Sequence, residues 1–116
     1  MLSQNDVAKL PLFDVGTFYS ASKNLDYRQS VLDTAEATIT VFWEKGLLKH
    51  DLISEFQDSP ESFKVLLGDL TPEGFEFSKT HYEKWLRNTD RWKERGTKEK
   101  YYQTLVKAYD KYSKSA

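Results

Sequence analysis

The run from Asp69 to Trp92, DLTPEGFEFSKTHYEKWLRNTDRW, leaves the backbone little choice. It combines a helix start signal, an apolar stripe and a solvated face. Thr71 is suited to the N-cap because its hydroxyl accepts from a free N–H of the first turn, and Pro72 at the first helical position has no N–H to leave unpaired. Glu73 follows where the positive end of the helix dipole favours an anion. Phe75, Tyr82, Trp85 and Leu86, with Trp92 at the end, recur at three- and four-residue spacings, while Lys79, Glu83, Arg87 and Asp90 fall largely off that stripe. The spacing predicts a helix over 72–95 at the centre of the core.

Two further helices flank it in sequence. Asp26 with Gln29 three residues on forms a capping-box pattern, and Val31, Leu32, Ala35, Ile39 and Phe42 give the buried stripe of a helix over 27–45. Gly46 ends it in the left-handed conformation, and Leu47 folds back on Phe42 in a Schellman arrangement. Because Thr38, Thr40, Val41 and Phe42 are β-branched or aromatic, tertiary packing supplies most of this helix's stability. After Gly96, Thr97 is the N-cap of a last helix over 98–114, with Tyr101, Tyr102, Leu105, Tyr109 and Tyr112 on its apolar side and Lys98, Lys100, Lys107, Lys111 and Lys114 mainly in solvent.

The remaining segments are less regular. Pro11 and Gly16 interrupt residues 1–25, but Leu10, Leu12, Phe13, Val15, Phe18 and Tyr19 are too apolar for a free tail, so a short helix packed on the core is expected there. Between Leu48 and Leu70, Asp51 is placed to cap a short helix through Glu55, and 62–67 reads as a short extended segment after the Ser59-Pro60 break. The nearest partner for that segment is 52–57, in a small hairpin; the competing reading has Ser59 capping a helix that starts at Pro60. The expected fold class is mainly α, a single-domain bundle over 1–116 of three principal helices with a short hairpin between the first two.

At 116 residues the chain can bury a core without metal or disulfide support. It has no cysteine, which excludes a disulfide framework, thiolate zinc sites and a thiol nucleophile. The opening MLSQNDVAKLPLFD lacks a signal-peptide pattern, and no apolar run approaches the roughly 20 residues of a membrane span, so a cytoplasmic location without membrane contact is expected. The net charge of −1 is unevenly spread: residues 1–50 carry six acids and five bases, 51–76 seven acids and one base, and 77–116 five acids and eleven bases. Such an acidic middle and basic tail either pair within the fold or present two faces to partners.

Catalytic chemistry is sparse. His50 and His81 are the two histidines; neither stands in a metal-binding spacing, and no phosphate loop or nucleophile elbow occurs. His50 with Asp51, or Glu73 with Glu76, are single pairs rather than a constellation, so neither an enzyme nor a cofactor is expected. Arg87, Arg91, Lys93 and Arg95 would suit nucleic acid, but Asp90, Glu94 and Glu99 are interleaved with them and the pI is about 6.1, so no nucleic-acid partner is expected. The acidic residues Asp51, Glu55, Asp58, Glu61, Asp69 and Glu73 are the partner-binding candidates, because Lys64 alone opposes them within 51–76 and a field of this sign steers a basic partner. In the competing arrangement Arg87, Arg91 and Arg95 neutralise them internally.

The residues Asp69-Leu70-Thr71-Pro72-Glu73-Gly74, followed by Tyr82-Glu83-Lys84-Trp85-Leu86 and Asp90-Arg91, resemble a pattern in small bacterial proteins, some of which are similar to immunity proteins of contact-dependent growth inhibition and other polymorphic toxin systems. The resemblance covers residues 69–91 and carries over no site residue. It implies a small cytosolic protein that binds and blocks one partner. The expectation is therefore a toxin inhibitor that caps the basic active face of a toxin, such as a nuclease, with its acidic segment. The alternatives are a winged-helix-like DNA-binding regulator using the Arg87–Arg95 region and an enzyme using His50.

Overall fold

The computed structural model describes residues 7–92 and 96–115. It is mainly helical, as the periodicity predicts. Strand β1 (Pro11–Asp14) leads directly into helix α1 (Val15–Ser20), where Asp14 accepts from the Thr17 N–H at 3.3 Å. Helix α2 (Leu25–Glu44) starts two residues earlier than the capping-box pattern suggests. Asn24, not Asp26, caps it by accepting from the Tyr27 N–H at 2.9 Å, and Gln29 donates instead to Asp33. The start is held by Arg28, whose Nε donates to the carbonyls of Tyr19 and Ser22 and whose guanidinium lies over the Tyr19 ring.

α2 is buried on more than one side, because it lies against the last helix and also supports the N-terminal elements. Thr34 and Thr38 are among its buried residues. Each is accommodated by donating to the carbonyl four residues back, at 2.7 and 2.8 Å. The helix stops as expected: Gly46 has φ of 71°, the Leu47 N–H bonds to the Phe42 carbonyl at 2.8 Å and the Gly46 N–H to that of Trp43 at 3.2 Å. These are the two bonds of a Schellman motif.

Helix α3 (Ile53–Asp58) follows, then a 3₁₀ turn (Pro60–Ser62), strand β2 (Lys64–Leu66) and a second 3₁₀ turn (Leu67–Asp69). The extended segment is where the alternation of Phe63 and Val65 places it, but its partner differs from the expectation. Residues 53–58 are helical, and β2 pairs antiparallel with β1, in the register Pro11↔Leu66, Phe13↔Val65 and Asp14↔Lys64 with an irregularity at Leu12. The 52–57 hairpin does not form because Leu52 and Phe56, four apart, go into the core on one side of a helix, with Phe56 edge-on to Phe63 at 5.4 Å. Ser59 makes no side-chain cap at Pro60.

Helix α4 has three parts: α-helical over Pro72–Phe77, π-helical over Ser78–Tyr82 and α-helical again over Glu83–Thr89. Thr71 caps it, accepting from the Gly74 N–H at 3.1 Å. Within the π turn the Glu83 N–H reaches back five residues to the Ser78 carbonyl, and the extra residue shifts the phase of the stripe. Phe77, Tyr82 and Trp85 are buried together, while Phe75, which uniform α-helical spacing aligns with Tyr82, is turned to the half-exposed flank under Lys79. The helix ends at Thr89 rather than 95, in turns from Asn88 to Arg91 and Thr89 to Trp92; Lys93, Glu94 and Arg95 lie outside the described residues. Helix α5 (Lys98–Ser115) begins with Thr97 accepting from the Lys100 N–H at 3.1 Å.

The core is aromatic. Phe42 contacts Phe77 and Tyr82 at ring separations of 5.5 and 5.2 Å, Tyr82 contacts Trp85 at 5.6 Å, and Tyr109 and Tyr112 close over Phe77. Polar ends of these rings are satisfied: the Trp85 Nε1–H donates to Thr104 at 2.9 Å, and the Tyr82 hydroxyl lies 2.8 Å from that of Thr38. Since the single Thr38 proton goes to the Thr34 carbonyl, Tyr82 is the donor.

Replacing Trp85, which is 6% exposed, by Ala removes packing and leaves Thr104 its bond to the Lys100 carbonyl, at a cost of about 3–5 kcal/mol in urea unfolding; an unchanged midpoint would place Trp85 outside the core. Thr71→Ala is expected to cost about 1–2 kcal/mol through the lost cap. Burial pushes the Tyr82 phenol well above its ordinary value of 10.0. Its neutral form therefore stabilises the fold fully below pH 10, and this contribution falls as pH rises above 10, where the unfolded chain ionises first. Tyr82→Phe should reduce the alkaline slope of stability against pH by about 1.4 kcal/mol per unit, measured by urea unfolding above pH 10.

Candidate functional site

The acidic segment is built outward from two core anchors. Leu52 and Phe56 are buried, and the Asp51 carboxylate accepts from the Ile53 N–H at 2.9 Å, which starts α3. That leaves Glu55 and Asp58, three residues apart on the outer side of α3, exposed and with carboxylates that make no hydrogen bond or ion pair among the described residues. Glu61, in the following turn, is also exposed and accepts from the Tyr19 hydroxyl at a long 3.4 Å.

The other two candidates are committed within the fold. Asp69 is partly buried: one oxygen accepts from the Leu66 N–H at 3.0 Å, closing the 3₁₀ turn, and the other lies 3.4 Å from His50 Nε2. Glu73 accepts from the Tyr109 hydroxyl at 3.1 Å, which links the start of α4 to α5. Burial first, and then this carboxylate, raise the Tyr109 phenol above its ordinary value. The structure thus gathers Asp51, Glu55, Asp58 and Glu61 along α3 and its flanks, while Glu73 is directed to α5. Arg87 and Arg91 are exposed and make no ion pair with any of these acids among the described residues; Arg95 lies outside them.

The His50–Asp51 pair that the enzyme alternative would use is not formed. His50 faces Asp69, with half of its side chain in solvent, and Asp51 is occupied by the Ile53 backbone. Glu73 and Glu76 do not act as a pair either, since Glu73 serves Tyr109. His81 stacks on Phe77 and meets Tyr112 edge-on, 5.4 Å away. Its Nδ1 lies 2.8 Å from Thr80 Oγ1, and because that hydroxyl donates to the Glu76 carbonyl, Nδ1 carries the proton. No group of three or more His, Cys, Asp or Glu side chains among the described residues is placed to hold a metal ion, and no helix among them is long and apolar enough to cross a membrane.

A second concave surface lies between the start of α2 and the end of α4. It is a cleft of about 390 Å³ whose walls include Phe13, Phe18, Tyr27, Trp92 and Tyr101 and whose polar lining residues include Asp26 and Asp90. The sequence treats these residues separately, Asp26 as a cap and Asp90 as part of a solvated face, and its one local signal is the aromatic residue beside or near each acid, Tyr27 and Trp92. The chain matches no protein-family model, and no curated protein or solved structure is significantly similar to it.

Proposed function

We propose that the protein is a binding protein rather than an enzyme, a cytosolic inhibitor of the immunity type that neutralises a cognate toxin, such as a nuclease, by covering its basic active face. The observation that supports this reading is the uncompensated charge of Glu55 and Asp58 on a helix whose inner side is fixed by Leu52 and Phe56. A carboxylate on a rigid element and without an internal partner can meet an oppositely charged surface without first breaking an internal ion pair, and at the rim of an interface it steers the encounter. Asp51 and Glu61 extend the same field. Asp69 and Glu73 contribute charge but are tied to His50 and Tyr109, so direct contact by them requires those bonds to be exchanged.

The DNA-binding alternative has no observation in its favour beyond the exposure of Arg87 and Arg91. The extended pair joins 11–14 to 64–66, so it is not the hairpin that serves as the wing of such a module.

Charge reversal of Glu55, Asp58 and Glu61 to Lys together tests the proposal against the cognate toxin domain by stopped-flow association at several salt concentrations. The expected result is slower association, on the order of tenfold at low salt, with a weaker salt dependence than wild type. A triple variant that folds and binds with wild-type rate, affinity and salt dependence would remove α3 from the interface.

A further inference from the structure

The cleft between α2 and α4 has a chemistry distinct from that of α3. Its size falls within the roughly 300–1,000 Å³ of small-molecule sites, and its lining combines aromatic and aliphatic walls with hydroxyl and carboxylate residues. Phe18 and Tyr27 remain 40% and 39% exposed, although both lie against otherwise well-packed elements. Asp26 and Asp90 form no hydrogen bond or ion pair among the described residues, and both line the cleft. From this combination of aromatic walls and two unpaired carboxylates we propose that the cleft is a binding site for a small organic cation, an amine or amidine carried on a flat apolar body.

Each part of such a ligand has a counterpart. The apolar body displaces water from Phe18, Tyr27 and Val31, and the cationic head gains the field of Asp26 and Asp90. Aromatic faces add to this, because the ring quadrupole attracts a cation. The fold contains an example at the same place: the Lys100 ammonium lies 4.0 Å from the centroid of the Trp92 ring, which is itself tilted against Tyr101 at 5.0 Å. An anionic ligand would meet the repulsion of both carboxylates, and a neutral one would gain nothing from their field.

The test uses three probes of nearly equal shape, phenethylamine, 2-phenylethanol and phenylacetate, titrated into the ¹⁵N-labelled protein. The amine is expected to saturate with a dissociation constant on the order of 1 mM, shifting the Trp92 indole N–H and the amides of Ser30 and Thr89. The alcohol should bind about tenfold more weakly and the carboxylate more weakly still, and the difference between amine and alcohol should shrink as salt is added. The variant carrying Asp26→Asn and Asp90→Asn should bind the amine no better than the alcohol; both residues are exposed, and an unchanged melting temperature verifies its fold. A Glu55→Gln/Asp58→Gln variant should bind the amine as wild type does. Equal affinity for amine and alcohol, amine binding that survives the Asp26/Asp90 variant, shifts that follow the α3 acids, or no saturable shift at all would each overturn the proposal.

Discussion

The hydroxyl of Thr71 joins the two halves of the fold. It accepts from the Gly74 N–H, which starts α4, and donates to the Gly46 carbonyl at 3.2 Å, at the point where α2 has just ended. The Thr71 N–H adds a bond to the Leu47 carbonyl at 2.9 Å. Gly74 completes the junction, since a Cβ there would collide with the Leu47 carbonyl oxygen. The start of one central helix is therefore seated on the end of the other with no side chain between them. The contacts of Phe42 with Phe77 and of Thr38 with Tyr82 follow from that close approach.

Local signals in the sequence account for the helix ends on either side of this junction. The Schellman turn at Gly46 and the caps at Thr71 and Thr97 are bonds within five positions and so are legible without the rest of the chain, whereas the bonds of Thr71 to Gly46 and Leu47 span more than twenty residues and are not. The start of α2 is less so, because Asn24 and Asp26 are both good caps and the choice falls to Arg28, which ties the chain back to Tyr19. The π turn is illegible in another way: a stripe read at one uniform spacing has no means of registering an inserted residue, and Phe75 is assigned the place that Phe77 holds. Strand pairing across some fifty residues leaves no local trace beyond the alternation of Phe63 and Val65.

The candidate sites divide along the same line. A charge count identifies the acidic segment, because like charges close in sequence remain close on a short helix and its flanks. It does not distinguish Glu55 and Asp58 from Asp69 and Glu73, which are spent on distant partners. Tyr19, Tyr102 and Tyr109 each donate to a surface carboxylate, of Glu61, Glu44 and Glu73 respectively, and in this way the many tyrosines are packing residues and latches at once. The cleft joins residues from well-separated parts of the chain, and only folding places Asp26 and Asp90 on one concave surface.

The ribbon of β1 and β2 imposes an order on synthesis. β1 leaves the ribosome well before β2, and at about 5–20 residues per second the intervening residues take several seconds to appear. Throughout that interval Leu12 and Phe13 have no strand to pair with, and α1, which continues directly from β1, has no fixed platform. The nascent N-terminal segment is thus an apolar, unpaired strand edge of the kind that chaperones hold and that promotes association between neighbouring chains. Pairing of β1 with β2 closes a loop of some fifty residues, so the N-terminal strand stays unpaired until β2 has been made.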